Sequence, residues 1–187
     1  MSSAHARLIP HPRAPGLGED FAVEASCAAQ QDGGLVFRYV VTGAIEALLL
    51  AERRPPARVD GLWRHSCFEA FVAGADPDYL EFNYAPSGEW AAYAFANYRV
   101  AATELRMAAP RIDLDVSARR LVLTAIIAAD ALTGLASCAR YRIGLAAVLE
   151  TRIGALGYYA AHHPAERPDF HDRGGFILSA ASRGESA

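Results

Sequence analysis

Between Trp63 and Arg99 the sequence alternates apolar and polar side chains in three consecutive runs separated by turn-forming residues. That pattern restricts the chain more than any other feature, because side chains of a strand point to opposite faces with a period of two. In Cys67 to Ala73, Phe68, Ala70 and Val72 share one face, and Cys67, Glu69 and Phe71 share the other. After a turn at Gly74 to Asp78, Leu80, Phe82 and Tyr84 alternate with Tyr79, Glu81 and Asn83. The segment APSG at 85–88 makes the next turn, since proline fixes φ and glycine tolerates positive φ. A third, aromatic-rich strand is predicted over Trp90 to Tyr98.

The rest of the chain follows the same plan. Phe21, Val23, Ala25 and Cys27 give one apolar face, and Leu35 to Thr42 gives a second strand after a turn at 30–34. Ile45 to Leu50 is too short to separate strand from helical turn. Residues 53–61, with adjacent prolines, read as a surface loop. Ile112 to Val116 and Leu121 to Ala128 form a second hairpin, residues 130–137 a brief helix or loop, and Tyr141 to Glu150 and Leu156 to Ala161 two further strands. So many short strands must bury more than one sheet face, which two packed sheets or a closed barrel achieve. The expected fold is all-β, an antiparallel, jelly-roll-like β-sandwich with short helical turns in its connections, a lipocalin-like barrel being the competing architecture.

At 187 residues one domain suffices. Residues 18–179 are assigned to it, 1–17 to an irregular leader broken by Pro10, Pro12, Pro15, Gly16 and Gly18, and 180–187 to a flexible tail. No apolar run reaches the roughly 20 residues that span a bilayer, so no membrane association is expected. The net charge of −3 argues against nucleic acid, although all 18 basic side chains are arginines, which grip carboxylates and phosphates with two prongs. Cys27, Cys67 and Cys138 lack CxxC spacing and are expected as reduced thiols. With no continuous apolar signal core, the expected location is cytoplasmic.

The stretches GLWRHSCFEAFV, DYLEFNYAPSGEWAAYAF and GYYAAHHPAERPDFHDRGGF resemble the DOMON-like relatives of family 9 carbohydrate-binding modules, in an uncharacterised bacterial branch. The resemblance covers most of Phe21 to Leu178. It implies an antiparallel β-sandwich, in a superfamily whose members bind sugars or, in other branches, haem. Glu69 matches the recurring acidic position of the strand after the WRHSC segment, and Arg64 and His65 stand where the sugar-binding branch places acidic residues.

If the two central strands pair, Glu69, Glu81 and Asn83 converge on one face. Carboxylates accept hydroxyl protons and an amide both donates and accepts, so these three suit a polyol. Trp63, Trp90 or Tyr93 would cover its apolar face, and Arg64 would hold an anionic substituent. The expected function is non-catalytic binding of a carbohydrate or polar small molecule, with no cofactor, and with a homodimer left open. Three alternatives stand beside it: a protein-interaction or structural domain, a glycoside-processing enzyme using Glu69 and Glu81, and a haem or metal site. For metal, His162, His163 and His171 with Asp169 and Asp172 form the conspicuous cluster, though ordinary loop hydrogen bonds are the simpler reading. For haem, Met107 with His162 or His163 could supply an axial pair, although apolar packing explains Met107 more simply.

Overall fold

In the computed structural model, which describes residues 3–14, 17, 20–100, 103–135 and 138–182, twelve strands follow in sequence. They are β1 (Ser3–Pro10), β2 (Phe21–Ala29), β3 (Leu35–Gly43), β4 (Cys67–Ala73), β5 (Tyr79–Tyr84), β6 (Trp90–Phe95), β7 (Thr103–Glu104), β8 (Arg111–Val116), β9 (Arg120–Ile127), β10 (Arg140–Glu150), β11 (Leu156–Ala160) and β12 (Leu178–Ala181). The described residues include no α-helix, only 3-10 turns at Ile45–Ala47, Leu62–Arg64, Ala129–Leu132 and Arg173–Gly175. None of these is long and apolar enough to cross a membrane.

Every strand pair is antiparallel, in the order β7-β6-β5-β4-β10-β11-β1-β2-β3-β9-β8, with β12 also pairing the far end of β10. The ribbon curls on itself at β1. Residues 3–8 of that strand pair with β2, whereas Ile9 and Pro10 pair with β11, so one strand serves two sheets. The result is a sandwich-like half-barrel. Its interior is the alternation read from the sequence: Val23, Phe37, Tyr39 and Leu123 from one sheet meet Phe68, Phe82, Leu145 and Tyr159 from the other, all essentially buried. Burial of such side chains contributes roughly 1.5–3 kcal/mol each before ordering entropy is counted.

Two boundaries differ from the sequence expectation. Ser3–Pro10, assigned to an irregular leader, is β1, with Leu8 buried in the main core. β12 runs through Ala181, past the expected start of the tail at 180. β1 alternates too, but small and polar residues hide its apolar face, and its proline stands at the end of the strand, where the lost donor is tolerated.

The predicted third central strand also stops early, at Phe95 rather than Tyr98. Residues 96–100 turn instead, closed by Ala96 N–H donating to Val100 O at 3.1 Å, with Arg99 at φ 53° in the left-handed region. This turn redirects Arg99 out of the strand.

The outer face of the β6-β5-β4-β10-β11 sheet is not left bare. Residues 161–177 cross it, forming a second, smaller core in which Phe176 stacks on Phe71 with centroids 5.5 Å apart. Gly144 makes this possible, because a Cβ there would stand 2.5 Å from the Phe176 ring. Arg173 pins the crossing segment by donating to the backbone oxygens of Asp76 and Gly74 at 2.5 and 3.3 Å. Arg142 donates to Arg173 O at 2.8 Å.

Candidate functional site

The crossing segment covers one end of the outer face and leaves a cavity of about 400 Å³ over the other. Pairing of β4 with β5 sets Glu69 opposite Asn83 and Phe71 opposite Glu81, and β6 adds Tyr93 beside Glu81. The period of two therefore puts both glutamates and Tyr93 on one face, and all three line the cavity. Trp63 reaches it from the Leu62–Arg64 turn. Its indole meets the Tyr93 ring edge-on, centroids 6.3 Å apart, while Tyr93 donates its hydroxyl proton to Asp60 Oδ1 at 2.5 Å. Phe95, Tyr158 and Phe170 extend the aromatic lining, and Arg99 and His171 add polar groups.

The two carboxyl groups are almost sealed, each residue 4% exposed. Asn83 Nδ2 donates to Glu81 Oε1 at 2.6 Å, and Asn83 Oδ1 accepts from Cys67 Sγ at 3.5 Å. Glu69 Oε1 has no hydrogen-bond partner at all. Burial, and then the nearby Glu81 charge, push the Glu69 carboxyl well above the usual carboxylate range, with Arg99 opposing. Glu81 is raised by burial too, with the Asn83 bond and Arg99 opposing. Two buried acids together favour retaining protons.

Arg99 is committed elsewhere. Its Nη2 donates to Asp169 Oδ1 at 2.8 Å, and Asp169 also accepts from the Tyr98 hydroxyl and from His171 N–H. Against the cost of its burial, these donors hold the Asp169 carboxyl below its ordinary value. His171 sits among the rings of Phe71, Phe95 and Tyr79, with centroids 5.0–6.0 Å away. Burial, then the Arg99 charge, lowers its pKa to about 4, so the imidazole is neutral at ordinary pH. Tyr79 Oη accepts from Arg99 N–H at 3.2 Å and lies 2.8 Å from His171 Nδ1. We assign the Tyr79 proton to that nitrogen, which leaves the ring proton on Nε2, 3.7 Å from Glu81 Oε2.

Of the seven residues expected to bind, Trp63, Glu69, Glu81 and Tyr93 share the cavity. Asn83 is fully buried and holds Glu81 from below. Trp90 is on the wrong face: three positions from Tyr93 along a period-two strand, it packs into the main core at 7% exposure and cannot serve as an open platform. Arg64 points to a different hollow of about 540 Å³, lined also by Leu49, His65, Glu89 and Glu150, so it cannot supply an anion fork beside the two glutamates. Phe95, Arg99, Tyr158, Phe170 and His171 were not among the expected residues. Phe95 was open to reading, since it shares the parity of Tyr93. Tyr158 lies on the predicted strand β11, whereas Arg99, Phe170 and His171 depend on a left-handed turn and a crossing segment that carry no period.

The histidine-rich segment does a different job from the metal cluster considered above. His163 Nε2 lies 2.9 Å from Ile9 O, His171 faces Tyr79, and no group of three His, Cys, Asp or Glu among the described residues could hold a metal ion. Met107, weighed as a haem ligand, packs against the main core.

No family model and no curated protein matches the chain. Among solved structures, it is similar to a protein of Bacteroides uniformis ATCC 8492 described provisionally as carbohydrate-binding. The TM-score is 0.66 at 14% identity, over 97% of this chain and 86% of that one. It is also similar to a family 9 carbohydrate-binding module from Caldicellulosiruptor kristjanssonii in complex with glucose, with a TM-score of 0.52 at 9% identity, over 89% and 80% of the two chains. The chain has the DOMON-like fold of family 9 carbohydrate-binding modules.

Proposed function

We propose that this protein is a non-catalytic β-sandwich that binds a small polyhydroxylated ligand, a carbohydrate or a polar fragment of one, in the cavity above Glu69 and Glu81. The observation that carries the proposal is the unpartnered Glu69 Oε1, buried at an apolar-walled cavity of about 400 Å³. A buried acceptor without a partner costs about 1–3 kcal/mol, and a ligand hydroxyl recovers it. A ring-shaped ligand would lay its C–H face on Trp63, 42% exposed, and aim hydroxyls at the carboxyls. The glucose-bound module and the Bacteroides uniformis protein, which share the fold, support this reading of the ligand class.

The same proposal extends to setting and partners. The three unbridged cysteines support a cytoplasmic location, and the absence of a lysine-rich patch supports a partner other than nucleic acid. A homodimer is compatible with it.

The test is calorimetric titration with a panel of mono- and disaccharides, on the wild type and on Trp63→Ala and Glu81→Gln. We expect saturable binding of at least one sugar, weakened by both substitutions. Failure of the whole panel, or binding indifferent to both, would overturn the proposal. Steady release of product from a glycoside, abolished by Glu69→Gln or Glu81→Gln, would replace it with an enzyme.

A further inference from the structure

The charge around the cavity balances only while both buried glutamates keep their protons. Glu69 and Glu81 line it, and Asp169 stands behind Arg99, so three carboxyls face one guanidinium that is already paired. The neighbouring imidazole contributes no charge, because His171 is held neutral. Glu69 Oε1, in a side chain that is more than nine-tenths buried, has no hydrogen-bond partner. Aromatic rings from Trp63, Tyr93, Phe95, Tyr158 and Phe170 share that lining. Ring faces carry negative potential and attract cations, most strongly where water is excluded.

A neutral sugar satisfies only part of this arrangement. Its hydroxyls can bond to the carboxyls, but they leave the excess negative charge uncompensated whenever Glu69 ionises. An ammonium group supplies up to three donors and a positive charge in one small unit, which matches an orphan carboxylate oxygen beside a cavity lined by aromatic side chains.

Building on the binding function proposed above, we infer that the ligand is an amino sugar whose protonated amine is held by Glu69, with the ring against Trp63. Glu81, fixed by Asn83, accepts a neighbouring hydroxyl. Placing an ammonium beside Glu69 favours its ionised form, so binding displaces the carboxyl proton to solvent. The balance is simple: the acid Glu69–COOH becomes carboxylate, one proton goes to buffer, and no covalent bond of the ligand changes.

The experiment compares glucosamine, glucose and N-acetylglucosamine by calorimetry at about pH 6.5, where the amine is charged. Runs in two buffers of different ionisation enthalpy report proton release. We expect glucosamine to bind at least about tenfold more tightly than the other two, the scale of one charge-assisted hydrogen bond. A proton should be released with glucosamine alone, and Glu69→Gln should remove both the preference and the release. Cyclohexylamine, an amine on an unhydroxylated ring, should bind more weakly than glucosamine.

The outcomes separate. Equal affinities for the three sugars would overturn the amino-sugar assignment while upholding carbohydrate binding. Cyclohexylamine binding as tightly as glucosamine, with no sugar response, would overturn both. Should Glu69→Gln unfold, Glu81→Gln serves as the second variant: it should weaken all three sugars together and keep the preference for glucosamine, and loss of that preference there would move the amine to Glu81 and contradict the assignment.

Discussion

At the residue scale, the buried acids set the behaviour of the site. A carboxyl whose folded pKa is raised binds its proton more tightly in the native state, so no cost of burying its charge arises at low pH. The cost appears as pH climbs above the unfolded value of about 4.3 and grows until the folded carboxyl itself ionises. Removing Glu69's charge by Glu69→Gln should therefore stabilise the protein at pH 8, by roughly 1–3 kcal/mol, and change little at pH 4. Urea denaturation at the two pH values measures this, and equal effects at both would refute it. His171 has the opposite sign. Its folded pKa of about 4 lies below the ordinary 6.5, so its contribution is complete above that ordinary value and is lost as pH falls toward 4. An NMR titration of the His171 ring should give a midpoint near 4, moving upward in Arg99→Met, where one of the two lowering influences is gone. A midpoint near 6.5 would contradict the packing described.

At the scale of elements, the site depends on a segment with no regular structure of its own. Residues 161–177 stay on the sheet because Phe176 fits the space left by Gly144 and Arg173 caps the β4–β5 turn. Gly144→Ala should expel Phe176, destabilise the fold by about 1–3 kcal/mol and weaken ligand binding at the far end of the same segment. Thermal melting and titration together check this, and unchanged binding would mean that the Phe170 and His171 wall holds without its anchor. Much of the floor was legible in the sequence, because alternation along two paired strands puts Glu69, Glu81 and Asn83 on one face, while the β5–β6 register adds Tyr93. Parity also excludes Trp90, although its indole invites the opposite reading. The wall was not legible: Arg99 arrives through a positive φ, and Phe170 and His171 on a loop where His171 N–H donates to Asp169, neither of which leaves a periodic trace.

At the scale of the whole molecule, a single strand closes the sandwich. Ser3–Pro10 pairs with β2 along one sheet and with β11 along the other, and Leu8 is buried between them. Removing residues 1–10 would open two sheet edges and empty the Leu8 site, itself worth about 2–5 kcal/mol. A loss of at least about 3 kcal/mol in denaturant unfolding is expected, and a truncated protein of unchanged stability would refute the closing role. The antiparallel sandwich itself could be read from alternation, whereas β1 was masked by its small residues and the prolines after it.

The binding site is tested most directly by mapping chemical shifts while a sugar panel that includes glucosamine is added to the labelled protein. Saturable shifts are expected at the Trp63 indole, at Tyr93, Phe95, Tyr158 and His171, and at the Glu69 carboxyl carbon, with the Trp90 indole still. Saturable shifts centred instead on Arg64, His65 and Glu150, or none with any sugar, would contradict the assignment of the cavity above Glu69 and Glu81.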